Sequence, residues 1–273
     1  MIWLVLMLNV SAGIGVLGIA SPMLQEIFGG ALIGRPEVGF SVLDAGQKTQ
    51  IAGIAAGFVG LLSLFNIMGR FFWASLSDRI GRKYTYYAFF ILGIIFYCTA
   101  PWAAQIQSKL IFVGAFCIIL SMYGGGFATV PAYLADIFGT QFVGAIHGRL
   151  LTAWSTAGIV GPVVVNYIRE AQKGAGVQGA AIYGGTMYIL AGMLLIGLIC
   201  NALVGPLEKR WFMSHAEVAA LQAKSAAAQK TAGGSYGIGL GQFDGKAILA
   251  WAIVGIPIFW GVWITLLKTM ALF

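Results

Sequence analysis

Residues 69 to 83 read Gly-Arg-Phe-Phe-Trp-Ala-Ser-Leu-Ser-Asp-Arg-Ile-Gly-Arg-Lys. The apolar run from Ile51 to Leu76 ends inside this stretch, and a cluster of charged residues follows it. Because lipid cannot hydrogen-bond an exposed backbone, the run is predicted to be a membrane helix, with the charged cluster in water beyond it. Gly81 permits a tight reversal into the next helix. Positive charge beside spanning segments stays on the cytoplasmic side, so this loop predicts the orientation of the chain.

The composition is typical of an integral membrane protein. Of the 273 residues, 59% are hydrophobic and 9% are charged. The net charge of +7 would suggest nucleic-acid binding in a soluble chain. Here the positive residues concentrate in segments predicted to be cytoplasmic, so no nucleic-acid partner is predicted. Cys98, Cys117 and Cys200 lie in apolar runs without metal-ligand spacing, and they are predicted to be buried hydrophobic residues.

Seven apolar runs, each near the length that a bilayer requires, predict an all-α protein with seven membrane helices and the lipid bilayer as its partner. They cover about residues 2–27, 51–76, 84–103, 110–133, 146–168, 181–204 and 247–267. With the loop after Leu76 inside, the N-terminus is predicted to be cytoplasmic and the C-terminus external. We therefore expect a multi-pass protein of the cell's inner membrane. The first run starts abruptly at Met1, which suggests the C-terminal part of a longer protein.

The charged cluster carries a family resemblance. Asp78-Arg79-Ile80-Gly81-Arg82-Lys83 resembles the cytoplasmic loop signature of the major facilitator superfamily of secondary transporters. Ala74 stands where that family usually has Gly, four residues before the Asp, and Ala is still small enough for close helix packing. The alternative is a chance basic turn after a membrane helix.

An internal repeat favours the same family. Gly15, Pro22 and Glu26-Ile27-Phe28-Gly29 in the first run match Gly124, Pro131 and Asp136-Ile137-Phe138-Gly139 in the fourth, with one residue inserted. The copies are offset by about three spans and therefore cross the membrane in opposite directions. This is the inverted three-plus-three arrangement of a transporter half. Coincidence between two glycine-rich helices is the alternative.

Three longer segments resemble the oxalate/formate antiporter branch of the superfamily: residues 9–26, 123–139 and 144–170. The resemblance covers roughly residues 1–204 and implies the second six of twelve core helices. Residues 205–246 are then predicted to form a cytoplasmic helix and glycine-rich linker, and residues 247–273 an additional membrane helix. Either a missing N-terminal half or a second copy of the chain is expected to complete the pathway.

Arg70 is the first candidate substrate residue. An ionised guanidinium within a membrane helix is costly unless it faces a cavity or a partner, and the resemblance carries an anion-binding Arg onto this helix. The alternative is a side chain that extends to the nearby interface. Tyr123 and Trp154 could enclose a small carboxylate with their ring edges, although each alone could be a packing residue.

The resemblance also bears on the substrate. The family's oxalate transporter has a Lys in the helix corresponding to residues 148–168, and this chain has none there. One cation matches one carboxylate, so a monocarboxylate such as formate, lactate or pyruvate is favoured over oxalate, unless the missing half supplies a second charge. We therefore expect a secondary transporter that moves a small carboxylate anion by alternating access. A membrane scaffold or accessory subunit without transport of its own is the alternative.

Two further sets of residues are expected to support transport. The conformational-switch loop comprises Asp78, Arg79, Gly81, Arg82 and Lys83. Within it, Asp78 is expected to cap the N-terminus of the fifth helix in one transport state. Helix packing is assigned to Gly158, Gly161 and Pro162, because the two glycines share a helix face.

The remaining signals favour neither an enzyme nor a cofactor protein. His147 and His215 lack metal-ligand spacing and a triad context, so no catalytic residue, metal or cofactor is predicted, and both are expected to face solvent. A capping box at 214–217 predicts a helix to about Lys230. The glycine-rich residues 237–241 resemble a phosphate loop only superficially, because no strand precedes them.

Overall fold

The computed structural model describes residues 1–206, 212–214, 217–223, 245–270 and 272. Over these residues it is helical and contains no strand. The helices are α1 (Ile2–Leu32), α2 (Ala45–Ile80), α3 (Arg82–Gln105), α4 (Lys109–Phe138), α5 (Val143–Gly174), α6 (Ala181–Ala202) and α7 (Gly245–Met270), with a 3-10 turn at Phe40–Val42. The predicted glycine-rich linker and the end of the preceding helix lie outside the described residues.

All seven of these helices are long and apolar enough to cross a membrane, the last over Trp251–Met270. A helix bonds its own backbone groups, so these segments can lie in lipid without polar partners. Their ends use side chains where the sequence supplies them: Asp44 accepts from the Gln47 amide at 2.8 Å at the start of α2. The predicted all-α fold class with seven membrane helices is confirmed.

The packing of α1 to α6 follows the predicted repeat. If α1, α2 and α3 are exchanged with α4, α5 and α6, the pair α1–α5 becomes α4–α2, and both pairs are in contact. The same exchange relates α3–α4 to α6–α1, and α1–α2 to α4–α5, which also pack together. The bundle is therefore built from two three-helix units of opposite direction, as an inverted repeat requires.

Glycines allow α2 and α4 to approach closely. A Cβ at Gly69 would overlap the Ser121 backbone, and a Cβ at Gly124 would overlap the Asn66 carbonyl. The two positions hold the same pair of helices together, one from each side. Small residues at such contacts let two helix backbones approach closely. The resulting van der Waals packing stabilises the pair, because no hydrophobic driving force acts between helices in lipid.

The chain forms two compact units, one of residues Met1–Gly205 with Val262–Phe273 and one of Pro206–Gly261. In the first unit, the last turns of α7 pack on α2: the Thr269 hydroxyl donates to the Gly57 carbonyl at 3.3 Å, and Leu272 is fully buried. This contact was not predicted from the sequence. Cys117 and Cys200 are buried as expected, but Cys98 is exposed on α3, because that position faces away from the neighbouring helices.

In the second unit, the predicted capping box is confirmed. The Glu217 amide donates to the Ser214 hydroxyl at 3.3 Å, and the Ser214 amide donates to the Glu217 carboxylate at 2.8 Å. This amide bond lowers the pKa of the exposed Glu217 carboxyl. The part of α7 in this unit exposes large apolar side chains, including Trp251 and Phe259, as a lipid-facing helix does.

We predict that Gly124→Ala destabilises the protein by roughly 1–3 kcal/mol, because the added methyl group must separate α2 from α4. Gly114→Ala on the same helix is the matched control, since a Cβ there meets nothing within 4 Å. The control should be neutral or stabilising by up to about 1 kcal/mol. Thermal unfolding in detergent measures both. Equal melting temperatures for the two variants would contradict the close contact.

Candidate functional site

Arg70 lies on the phenyl ring of Phe127. Its guanidinium carbon is 5.8 Å from the ring centroid, within range of a cation–π interaction. Its Nη2 donates to Asn66 Oδ1 at 3.3 Å, one turn earlier on α2. The side chain therefore extends back along α2, away from the Gly81 turn and not toward it. Among the described residues, no carboxylate forms an ion pair with Arg70.

The structure brings the other two predicted substrate residues to the same place. The Trp154 ring on α5 lies 5.4 Å from the Phe127 ring and is 41% exposed. Tyr123, on α4, packs against α1 where a Cβ at Gly13 would overlap its ring. It interacts with Trp154 and, electrostatically, with Arg70. Side chains from α2, α4 and α5 thus converge around Phe127.

Sequence reasoning missed Phe127 and Asn66, and helical spacing was the signal for both. Phe127 lies four residues after Tyr123, and Asn66 lies four residues before Arg70. Residues four apart share a helix face. A search for polar and aromatic residues one turn from each predicted site residue would have found the ring that connects them.

His147 is also part of this cluster, which corrects the expectation that it faces solvent. Its imidazole lies 6.5 Å from the Phe127 ring in an edge-to-face arrangement, and the residue is half-buried. Its Nδ1 is buried without a hydrogen-bond partner among the described residues. His147 is seven residues before Trp154, so both face the same side of α5. His215 lies outside the described residues.

The predicted switch loop forms the turn between α2 and α3, and we call this end of the bundle the turn end. Gly81 has a φ of 90°, which favours glycine. Arg82 pairs with Asp78 at 2.6 Å, and its Nε lies 3.9 Å from Asp136 at the end of α4. The side chain of Asp78 is 68% exposed. No side chain caps the N-terminus of α5.

The other two loop residues differ in their contacts. Lys83 donates to the Ala202 carbonyl at 3.2 Å and to the Val204 carbonyl at 2.6 Å. A cation at the last carbonyls of a helix satisfies acceptors that have no intrahelical partner. Lys83 thus attaches α3 to the end of α6. Arg79 is exposed and borders a surface cavity with Phe71 and Phe72.

The three residues assigned to helix packing occupy different environments on α5. A Cβ at Gly161 would overlap the Ser11 carbonyl, so this glycine sits at the close contact between α5 and α1. Pro162 is half-buried beside it. Gly158 is exposed, and a Cβ there would meet nothing within 4 Å.

A second charge network, which sequence reasoning missed, lies at the opposite end of the bundle. The Glu26 carboxylate accepts hydrogen bonds from Arg169, from Lys173 at 2.9 Å and from the Tyr183 hydroxyl at 2.5 Å. Arg169 also donates to Tyr183 at 3.0 Å and to Glu170 at 3.0 Å. Glu26 and Arg169 side chains are each only 15% exposed. The network ties α1 to α5 and α6.

Arg70 on α2 and Arg169 on α5 differ in their counter-ions. Arg169 has the Glu26 carboxylate as its counter-ion, whereas the contacts of Arg70 within the described part of the chain are a neutral amide and an aromatic ring. An exposed guanidinium without a counter-ion can accept a carboxylate through two parallel hydrogen bonds. The Phe127 cluster therefore provides a cationic, aromatic-lined surface that suits a small organic anion.

Comparison with known proteins agrees with this architecture. The family model described as Major Facilitator Superfamily matches residues 2–273, and the chain belongs to this superfamily of transporters. Members of this superfamily are transporters rather than enzymes.

Three curated proteins resemble parts of the chain. The "Oxalate:formate antiporter" of Oxalobacter formigenes is 31% identical over 49% of this chain and 31% of its own length. The "Sialic acid transporter NanX" of Escherichia coli (strain K12) is 27% identical over 46% of this chain and 30% of its own length. "Protein ZINC INDUCED FACILITATOR-LIKE 1" of Arabidopsis thaliana is 25% identical over 46% and 26%. Each match thus spans about a third or less of the relative. No significant match was found among solved structures.

We predict that Glu26→Gln destabilises the bundle by about 3 kcal/mol, because Arg169, whose side chain is 15% exposed, loses the carboxylate that offsets its burial. Glu170→Gln is the matched control, since its carboxylate also pairs with Arg169 but is 68% exposed. The control should cost less than about 1 kcal/mol. Thermal unfolding in detergent compares the two, and similar losses would show that burial does not set the strength of the Glu26 network.

Proposed function

We propose that the chain is the C-terminal half of a secondary transporter that moves a small carboxylate anion, with Arg70, Tyr123 and Trp154 as its substrate-binding residues. The observation that carries this proposal is the position of Arg70: its guanidinium lies on Phe127 within the spanning part of α2 and has no ion-pair partner among the described side chains. The proposal is supported by the likeness to the oxalate:formate antiporter over half of the chain.

The direction of the Arg70 side chain favours substrate binding over extension to the interface. Helical side chains point toward the helix N-terminus, and α2 runs toward the turn end. The bond to Asn66 follows this direction. A side chain that served only to bring its charge to water would point the other way, toward Asp78.

The substrate is proposed to be a monocarboxylate such as formate, lactate or pyruvate. One guanidinium in the cluster matches one carboxylate, and aromatic edges around it tolerate a short carbon chain while excluding water. Oxalate, carried by antiport, is the alternative substrate, and its second carboxylate requires a second positive group near Arg70.

The turn end is proposed to face the cytoplasm, with the N-terminus inside and the C-terminus outside the inner membrane, because Arg79, Arg82 and Lys83 concentrate positive charge there. In this proposal the turn acts as the conformational switch. Asp78 is poised to do so, since its carboxylate is exposed while it pairs with Arg82.

A complete pathway is proposed to need a second half, either an N-terminal segment or another copy of the chain. The cluster residues Arg70 and Trp154 are exposed on one side of the bundle, so a second wall must cover them to exclude water during transport. In the proposed organisation, residues 1–204 form the transporter half, 205–246 the cytoplasmic linker and 247–273 the additional membrane helix.

We predict that carboxylate uptake falls in the order Arg70, Arg70→Lys, Arg70→Gln. Lys keeps the charge but loses the planar pair of hydrogen bonds, for about a tenfold loss, and Gln loses both, for about a hundredfold loss. Uptake of labelled formate and lactate into proteoliposomes that contain the complete transporter, with both halves present, measures this, and Arg149→Gln is the matched control. Full uptake by Arg70→Lys would support extension to the interface. No saturable uptake of any carboxylate by the wild type would support the scaffold alternative.

We predict that Asp78→Asn shifts the balance between inward-open and outward-open forms, because it removes the charge that pairs with Arg82. Single cysteines at the open positions Gly144 and Gly174, at the two ends of α5, report access from each side in a background without native cysteines. The ratio of their labelling rates should change at least about threefold, a shift near 0.7 kcal/mol. Glu37→Gln is the control, and an unchanged ratio in Asp78→Asn would exclude the switch role.

A further inference from the structure

His147 is the ionisable residue in the Phe127 cluster to which the proposed function assigns no role. Its imidazole lies on the edge of the same ring that carries Arg70. A buried polar atom without a partner is unfavourable, and Nδ1 of His147 is such an atom among the described residues. A group held in this way is available for a bond that forms only in another state of the site.

The charges around His147 determine when it can take a proton. Arg70 of α2 is the cation that faces the cluster, and the described part of α1 carries Glu26 as its charged side chain, at the opposite end of the bundle. On α4 the nearest acid is Asp136, which faces Arg82, and α6 carries no Asp, Glu, Lys, Arg or His. Arg149 and Trp154 share α5 with His147. A proton on His147 therefore adds a second cation to Arg70 without a dedicated counter-ion.

An anion in the cluster reverses this balance. Arg70 and His147 both lie close to the centroid of the Phe127 ring. A carboxylate beside this ring is therefore within electrostatic reach of both side chains. It attracts the proton onto His147, and a protonated His147 in turn strengthens the attraction for the carboxylate. Binding of the two ions is then mutually favourable, and each must raise the affinity of the other by the same factor.

We propose that His147 is the proton-coupling residue of this site, so that the transporter binds one proton together with its carboxylate. This inference rests on the proposed function, since it requires the anion at Arg70. It assigns the proton as the coupling ion. The imidazole is suited to this role because its ring nitrogens can both accept and donate a proton.

The test is anion binding to purified transporter by calorimetry, with formate and lactate as probes, between about pH 5.5 and pH 8. Both probes stay ionised throughout this range, so their own titration does not contribute. The wild type should bind at least about tenfold more tightly at the acidic end, because one unit charge acting over about 6 Å at an effective dielectric constant near 20 changes the affinity by up to about a hundredfold. Enthalpies in buffers of different ionisation enthalpy should report proton uptake on binding.

His147→Gln should remove both the pH dependence and the proton uptake, and His147→Lys, whose charge is permanent over this range, should do the same. A pH dependence that persists in His147→Gln would overturn the inference. Binding by the wild type without proton uptake would also overturn it, and this measurement does not depend on the stability of any variant. Absence of any carboxylate binding by the wild type would instead overturn the proposed function. Binding that needs Arg70 but takes up no proton would leave the proposed function standing and exclude His147 from it.

Discussion

The close approach of α2 and α4 is the constraint on which the candidate site depends. Gly124 of α4 packs directly on the Asn66 carbonyl of α2, and the Asn66 side chain holds Arg70. Three residues further along α4, Phe127 lies beneath the Arg70 guanidinium. A larger residue at Gly124 would therefore separate the guanidinium from the ring beneath it. Helix packing and the chemistry of the site are determined here by the same few atoms.

The inverted repeat explains why charge networks stand at both ends of the bundle. Exchange of the two three-helix units relates Glu26 on α1 to Asp136 on α4, and each acid faces a cation from the neighbouring helices. The two networks differ in strength, because Glu26 accepts three hydrogen bonds in a half-buried position, whereas Asp136 lies 3.9 Å from Arg82 and is exposed. The inverted repeat thus places an acid–base contact at each end of the bundle, but the two contacts do not have equal strength.

Hydropathy was sufficient to predict the fold, because a bilayer imposes the length and polarity of each helix. The turn at Gly81 and the paired motifs around Pro22 and Pro131 further identified the family and the repeat. Contacts between distant residues could not be read in this way. Glu26 meets Arg169 only because α1 packs on α5, and α7 reaches Gly57 only because that glycine leaves space on α2. The residues around Phe127 were partly predictable, since helical spacing connects them to Tyr123, Arg70 and Trp154.

The pairing of Glu26 with Arg169 has a consequence for biosynthesis. The two residues are separated by 143 positions in the chain, so α1 enters the membrane long before its counter-ion is made. At translation rates of about 5 to 20 residues per second, about 7 to 30 seconds pass between the synthesis of Glu26 and that of Arg169. During this interval the insertion machinery or the lipid headgroups must accommodate the charge. A chain that ends before α5 would therefore leave the Glu26 carboxylate without Arg169 and Lys173.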